Sequence, residues 1–251
     1  MEILEFGNKS EDIIVLIHGF ESPYQIWYDY IEHYQNDYHI IVPILPGHNP
    51  NKKEEFVSFD LCARELEDFI IDKYGNHVYA IYGMSMGGVL AANIWQNGRL
   101  HIDKIIMESS PLLTLPRPMI SIMTKQYLSL THKVQEEDSD VLKKAVGTMV
   151  KKDELKDFIQ LLDNISDKTI INYLKQTGEF SIPENMENDK TEIYYYYGGR
   201  AAEMPFKKVA KFIQKNYKNA QVFCNEGKAH CEDSLIHPQK WIKVIDKVLI
   251  K

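Results

Sequence analysis

The sequence predicts an α/β fold in which a mostly parallel β-sheet is flanked by helices and interrupted by a helical insertion. Short β-branched runs alternate with amphipathic segments of helical length through residues 1–108, which is typical of such a sheet. Several of these runs, such as 13–17, are apolar throughout, as expected of strands buried on both faces. After residue 110 the strand pattern gives way to helical periodicity, and it resumes near residue 191.

The predicted strands occupy residues 2–6, 12–17, 38–43, 77–82, 103–108, 192–197 and 221–224. Helices are predicted between them, including 89–96, 205–217 and 239–250. The clearest helix begins after Ser58, because serine is a preferred residue at the N-cap position. Helical spacing predicts a buried face of that helix made of Leu61, Cys62, Leu66, Phe69 and Ile70.

The insertion is predicted to form a separate helical layer. It opens on a segment with three prolines, at 111, 116 and 118, and closes near Pro183, so its ends have the composition of boundaries. We therefore expect a core domain made of residues 1–110 and 191–251, with residues 111–190 forming a helical cap or lid. The methionines of the insertion, whose flexible thioethers suit an apolar acyl pocket, are Met119, Met123, Met149 and Met186.

Composition limits the classes of partner. The 251 residues include 29 basic and 36 acidic side chains, a net charge of −7, without a basic patch. Nucleic-acid binding and a membrane-surface role are therefore not expected. No apolar run approaches the roughly 20 residues of a membrane span, and the N-terminus lacks a secretory pattern. Cys62, Cys224 and Cys231 are too few for a disulfide scaffold, so a cytoplasmic location is expected. The oligomeric state stays open.

A glycine-rich run, GMSMGG at 83–88, carries the clearest chemical signal. It follows a predicted strand and precedes a predicted helix, with Ser85 at its centre. A nucleophile on such a tight turn needs small neighbours two residues away on either side, which Gly83 and Gly87 supply. The turn exposes the serine hydroxyl beside the N-terminus of the next helix, whose N–H groups can stabilise negative charge. Ser85 is therefore the candidate nucleophile.

A serine nucleophile requires a base, and His230 is the best-placed histidine. It follows the strand predicted at 221–224, in a polar loop before the last helix. The carboxyl ends of parallel strands are where active sites of such sheets form, so His230 can reach Ser85. A metal site of Cys224, His230 and Cys231 is not expected, because no C-x-x-C or H-E-x-x-H spacing occurs.

These motifs resemble those of the α/β-hydrolase fold family, and the resemblance spans both ends of the chain. The matching segments are His18-Gly19-Phe20, Leu45-Pro46-Gly47-His48, the elbow around Ser85 and Gly227-x-x-His230. The resemblance implies an α/β-hydrolase fold with a helical cap insertion. It also implies an oxyanion hole formed by the backbone N–H groups of Phe20 and Met86. His18 would then brace its loop, and His48 would be a turn residue.

The acid that orients the histidine is less clearly specified. In the family an Asp commonly follows the strand that ends in glycine, but the matching loop at 197–203 contains no Asp. Glu203 is its only carboxylate, and it gives the chain order Ser85, Glu203, His230 that is usual for the fold. Glu108, at the end of the strand before the insertion, is the alternative acid. Glu226 and Asp233 would have to fold back toward His230.

The resulting hypothesis is a serine hydrolase of the carboxylesterase type, which cleaves a small ester through an acyl-enzyme. No cofactor and no metal are expected, and the partner is a small-molecule ester or acyl substrate. The alternatives are a thioesterase, a lactonase, or a carbon–carbon bond hydrolase or lyase on the same residues. A binding protein with vestigial catalysis is a further alternative, because the usual Asp is missing. The sequence does not identify the substrate.

Overall fold

The computed structural model describes residues 1–186 and 190–249, which contain a seven-stranded β-sheet. The strands lie in the order β1-β3-β2-β4-β5-β6-β7; β1 runs antiparallel to β3, and the other pairs are parallel. Their bounds are β1 Glu2–Phe6, β2 Ile13–Ile17, β3 His39–Ile44, β4 His77–Met84, β5 His101–Glu108, β6 Glu192–Gly198 and β7 Ala220–Asn225. The predicted fold class is confirmed. The predicted helix end at Ile250, together with residues 187–189 and 251 of the predicted domains, lies outside the described residues.

Helices cover both faces of the sheet, because the central strands are apolar on both sides. All five side chains of β2 are buried, as the unbroken apolar run predicts. One face packs against α2 Phe59–Tyr74, α3 Met86–Asn97 and α8 Met204–Asn216. The other packs against α1 Tyr28–Tyr34 and α10 Pro238–Leu249, and the short α9 Glu232–Ile236 precedes α10.

Helix α2 agrees with the predicted buried face at most positions and differs from it at Leu61. The Ser58 hydroxyl accepts the N–H of Leu61 at 3.1 Å, so the helix starts at the predicted cap. Cys62, Leu66 and Ile70 are buried, as expected. Leu61 is 52% exposed, so its predicted burial is wrong. The reason is geometric: Leu61 lies on the same helix face as Glu65, four residues later, which faces solvent.

Among its described residues, the segment between β5 and β6 contains four α-helices, and one side of it lies against the loops at the carboxyl ends of the strands. The Phe20 ring, in the loop after β2, lies 5.6 Å from the ring of Tyr127 and 4.9 Å from that of Tyr173. The division into core and cap stays a prediction. The four helices are α4 Arg117–Gln135, α5 Ser139–Ala145, α6 Leu155–Asn164 and α7 Asp167–Glu179.

Within residues 1–186 and 190–249, no helix combines the length and the apolar character needed to cross a bilayer.

Candidate active site

Ser85 lies on a strained turn between β4 and α3. Its backbone φ of 53° and ψ of −118° fall outside the regions that a non-glycine residue prefers. Such a conformation costs on the order of 1–3 kcal/mol and persists where the surroundings enforce it. A Cβ atom on Gly83 would lie 2.4 Å from the Gly87 carbonyl oxygen, and one on Gly87 would lie 2.3 Å from that of Ile17. Glycine is therefore required on both sides of the serine, for the steric reason that the sequence predicts.

His230 lies directly beside the serine. Its Nε2 atom is 2.8 Å from the Ser85 Oγ, which is a normal hydrogen-bond distance. The histidine belongs to the turn between β7 and α9, and the Ala229 N–H donates to the Glu232 carboxylate at 3.0 Å to hold that turn. The Phe206 ring packs 5.0 Å from the imidazole. The fold thus brings together two residues that are 145 positions apart.

Glu203 lies on the opposite side of the same imidazole. Its Oε2 is 3.5 Å from the His230 Nδ1, which is an ion-pair distance but longer than a standard hydrogen bond. The same oxygen accepts a bond from the Ser109 hydroxyl at 3.3 Å. Glu203 is 5% exposed, so its carboxylate contacts the protein rather than solvent.

Glu108, the alternative acid, makes different contacts. One carboxyl oxygen accepts a bond from the Tyr82 hydroxyl, and the other accepts one from the Ser234 hydroxyl at 2.9 Å. The Trp241 indole in turn donates to the Tyr82 oxygen at 2.8 Å. Burial raises the pKa of Glu108 to about 7. This carboxyl is therefore part of a buried hydrogen-bond network beneath the site.

The two proposed oxyanion donors line the same cavity as Ser85. Within the part of the chain that the structure describes, neither the Phe20 N–H nor the Met86 N–H donates to a protein acceptor. Met86 is the first residue of α3, and the first N–H groups of a helix have no partner within it. The dipole of α3 adds partial positive charge at this point. Both amides are thus available to a negatively charged oxygen.

His18 and His48 are fully buried and act as hydrogen-bond acceptors. The Leu45 N–H donates to the His18 Nε2 at 3.1 Å, and the Glu21 N–H donates to the His48 Nε2 at 3.0 Å. Burial lowers the pKa of His18 to about 4 and the pKa of His48 well below its usual range. Both rings are therefore neutral near pH 7. They connect the loops after β2 and β3, which is the bracing role expected of His18.

The cavity above Ser85 has a volume of about 410 Å³ and is mainly apolar. Glu21, Ser22 and Thr148 are polar exceptions in its lining. Glu21 is not among the residues predicted from the sequence, although its position directly after Phe20 is a usable signal. Ser109 was also missed, because nothing local connects it to Glu203. The large apolar side chains of the lining are Phe20, Met84, Met86, Met149, Phe206 and Leu235.

No group of three or more His, Cys, Asp or Glu side chains among residues 1–186 and 190–249 is placed to hold a metal ion. Cys231 is buried, and its thiol approaches the Glu108 carbonyl oxygen at 3.9 Å. Cys62, Cys224 and Cys231 are free thiols.

Comparison with curated proteins gives distant relatives over nearly the whole chain. The pimeloyl-[acyl-carrier protein] methyl ester esterase of Legionella pneumophila is 23% identical over 237 residues, which cover 94% of each chain. Among solved structures, a carboxylesterase structure from Nitrososphaera gargenis matches with a TM-score of 0.74 and 14% identity, covering 99% of this chain and 93% of that one. MenH from S. aureus matches with a TM-score of 0.70 and 19% identity, covering 98% and 97%. At these identities the structural matches show the fold alone.

The family assignment follows from a match over the region that contains the elbow. The sequence model of the alpha/beta hydrolase fold family matches residues 12–150, which are more than half of the 251 residues. The sheet order and the strand–serine–helix turn agree with that match. The chain therefore belongs to the alpha/beta hydrolase fold family.

Proposed function

We propose that the protein is a carboxylic ester hydrolase with Ser85 as nucleophile, His230 as general base and Glu203 as the acid that orients the imidazole. The observation that carries this proposal is the 2.8 Å contact between the Ser85 Oγ and the His230 Nε2 at a cavity. A serine is a weak nucleophile until an adjacent base takes its proton. The position of Glu203, 3.5 Å from the Nδ1, supplies the orienting group.

The proposed reaction has two stages. The Ser85 oxygen attacks the ester carbonyl while His230 takes the hydroxyl proton, and the resulting oxyanion is stabilised by the Phe20 and Met86 N–H groups. Collapse of this intermediate breaks the bond to the alcohol, which leaves with the proton from His230. A water molecule, deprotonated by the same imidazole, then attacks the acyl-enzyme and releases the carboxylic acid.

Two further observations support an ester as the substrate. The Legionella relative is named as a methyl ester esterase, and the Nitrososphaera match is named as a carboxylesterase. The cavity presents apolar side chains such as Met149 and Leu235, which suit an acyl chain. In this proposal the insertion acts as a cap, because Tyr127 and Met149 come from it. We also place the protein in the cytoplasm, where free thiols persist.

The first test of the proposal is covalent labelling. A fluorophosphonate should add to Ser85 in the folded protein, detected by intact mass and peptide mapping, and Ser85→Ala should remain unlabelled. Turnover should then be compared across short esters, acyl thioesters and lactones of matched acyl length. A folded protein that neither reacts with the probe nor hydrolyses an ester would contradict the proposal. A clear preference for thioesters or lactones would instead favour those chemistries on the same residues.

A further inference from the structure

Glu21 has no part in the proposed reaction, although this residue lines the same cavity as Ser85. Glu21 is 3% exposed and has a backbone φ of 55°, in the left-handed region. A buried acid in a strained backbone conformation is costly, so its retention beside an active site needs a reason. No lysine or arginine is present among the described residues that line the cavity. The group therefore has no cationic partner in this lining.

One side of Glu21 is held firmly by the protein. The Thr131 hydroxyl, from α4 and 110 residues away, lies 2.6 Å from the Glu21 Oε1. The same hydroxyl lies 2.9 Å from the Tyr127 carbonyl oxygen. A hydroxyl has a single proton, so Thr131 donates to an ionised Glu21, or accepts from a protonated Glu21 while donating to Tyr127. The Oε1 side is thus satisfied in both protonation states.

The other carboxyl oxygen of Glu21, Oε2, differs from Oε1 in its contacts. Within the described part of the chain, the Glu21 Oε2 has no hydrogen-bond partner. Burial raises the pKa of Glu21 to about 7, while the bond from Thr131 lowers it. The group is therefore ionised in about half of the molecules at pH 7. A substrate group that donates a hydrogen bond, or carries positive charge, would satisfy this oxygen.

We infer that Glu21 is a specificity-determining residue: its free carboxyl oxygen accepts a hydrogen bond from a hydroxyl, amide or ammonium group on an otherwise apolar ester. The same carboxyl group disfavours substrates whose acyl chain ends in a carboxylate, because like charges in a water-poor cavity repel strongly. This inference rests on the proposed ester hydrolase function and adds the class of substrate.

The test compares methyl esters of equal chain length and different terminal groups. The substrates are methyl hexanoate, its omega-hydroxy and omega-amino derivatives, and monomethyl adipate, followed by titration of the released acid. Wild-type kcat/KM for the amino ester should exceed that for monomethyl adipate by about tenfold or more. In Glu21→Gln this ratio should fall to within about twofold of one. An unchanged ratio in Glu21→Gln overturns the inference.

Thr131→Val is the matched control, because it removes the bond from α4 and keeps the carboxyl group. Its substrate ratio should stay within about threefold of the wild-type value. If Thr131→Val changes the ratio as much as Glu21→Gln does, Glu21 only connects its loop to α4, and the inference is overturned.

The pH dependence of the wild-type ratio gives a measurement that needs no variant. The ratio of the amino ester to monomethyl adipate should rise as pH increases through about 7, where Glu21 ionises. Comparing two substrates cancels the ionisation of His230, which affects both. Of the titratable groups facing Glu21, His48 has a pKa well below this range and burial raises the pKa of Tyr127 to about 12. A flat ratio overturns the inference.

The two proposals fail in distinguishable ways. If methyl hexanoate is hydrolysed but the ratio of kcat/KM for the amino ester to that for monomethyl adipate is the same in wild type and Glu21→Gln, only the role of Glu21 is overturned. Absence of turnover on every ester, together with an unlabelled Ser85, overturns the proposed function and this inference with it.

Discussion

Two buried carboxyl groups lie near His230, one at the end of β5 and one in the loop after β6, and they differ in their contacts. Both oxygens of Glu108 accept bonds from neutral hydroxyl groups, those of Tyr82 and Ser234. Glu203 instead places one oxygen 3.5 Å from the His230 Nδ1. The same functional group, with similar burial, thus meets different partners within one site. The partners, rather than burial or distance along the chain, indicate which carboxyl group can orient the imidazole.

The largest loss of kcat is expected for the Ser85 variant, which gives the reference value for the Glu108 and Glu203 variants. Ser85→Ala should lower kcat by about 10⁴-fold or more, because the nucleophile of a triad cannot be replaced by its remaining members. Far-UV circular dichroism should show an unchanged fold. Activity within tenfold of wild type would mean that another group attacks the ester, and the roles of Glu108 and Glu203 would need to be reassigned.

Glu203→Gln is expected to have the next largest effect. An amide cannot stabilise the imidazolium that forms when His230 takes the serine proton, so kcat should fall by about a thousandfold. Fluorophosphonate labelling of Ser85 should become slow but remain detectable. Ser109→Ala is the control, because it removes the 3.3 Å bond to the same carboxylate and keeps the charge. That variant should lose less than about tenfold in kcat.

Glu108→Gln should reduce kcat by less than about tenfold, because an amide of the same shape can still bond to Tyr82 and Ser234. Steady-state kinetics on one ester, measured in parallel with Glu203→Gln, gives the comparison directly. If kcat falls by about a thousandfold in Glu108→Gln and by less than about tenfold in Glu203→Gln, Glu108 is the catalytic acid and the contact of Glu203 with His230 is incidental.

The smallest expected effect is on stability, and it depends on pH. Burial raises the pKa of Glu108 from 4.5 to about 7, so the folded protein holds this proton more tightly than the unfolded chain does. The free energy of unfolding should therefore fall as pH rises between these two values, with a slope of at most about 1.4 kcal/mol per pH unit from this group. Glu108→Gln should remove that part of the slope in urea titrations across the window. Glu21, whose pKa is also raised to about 7, still lowers the free energy of unfolding as pH rises in this variant. A slope unaffected by Glu108→Gln would show that Glu108 does not titrate in this range.

The fold was predictable because its signals are local. An apolar run such as 13–17 needs burial on both faces, and this requirement specifies a central strand wherever its neighbours lie. The Ser58 cap likewise acts over three residues. The predicted burial of Leu61 is wrong, because an apolar residue beside a buried face does not by itself belong to that face.

The sequence by itself determined the sheet, the serine elbow and its two glycines, because strand burial and backbone crowding act within a few residues. The tertiary structure alone decided which carboxyl group meets His230 and placed Glu21 in the lining of the cavity. Those contacts join residues far apart in the chain, such as Glu21 and Thr131 at 110 positions or Ser85 and His230 at 145. Hydrogen bonds and ion pairs require correct placement to within a fraction of an ångström, and the packing of the whole sheet against its helices sets that placement.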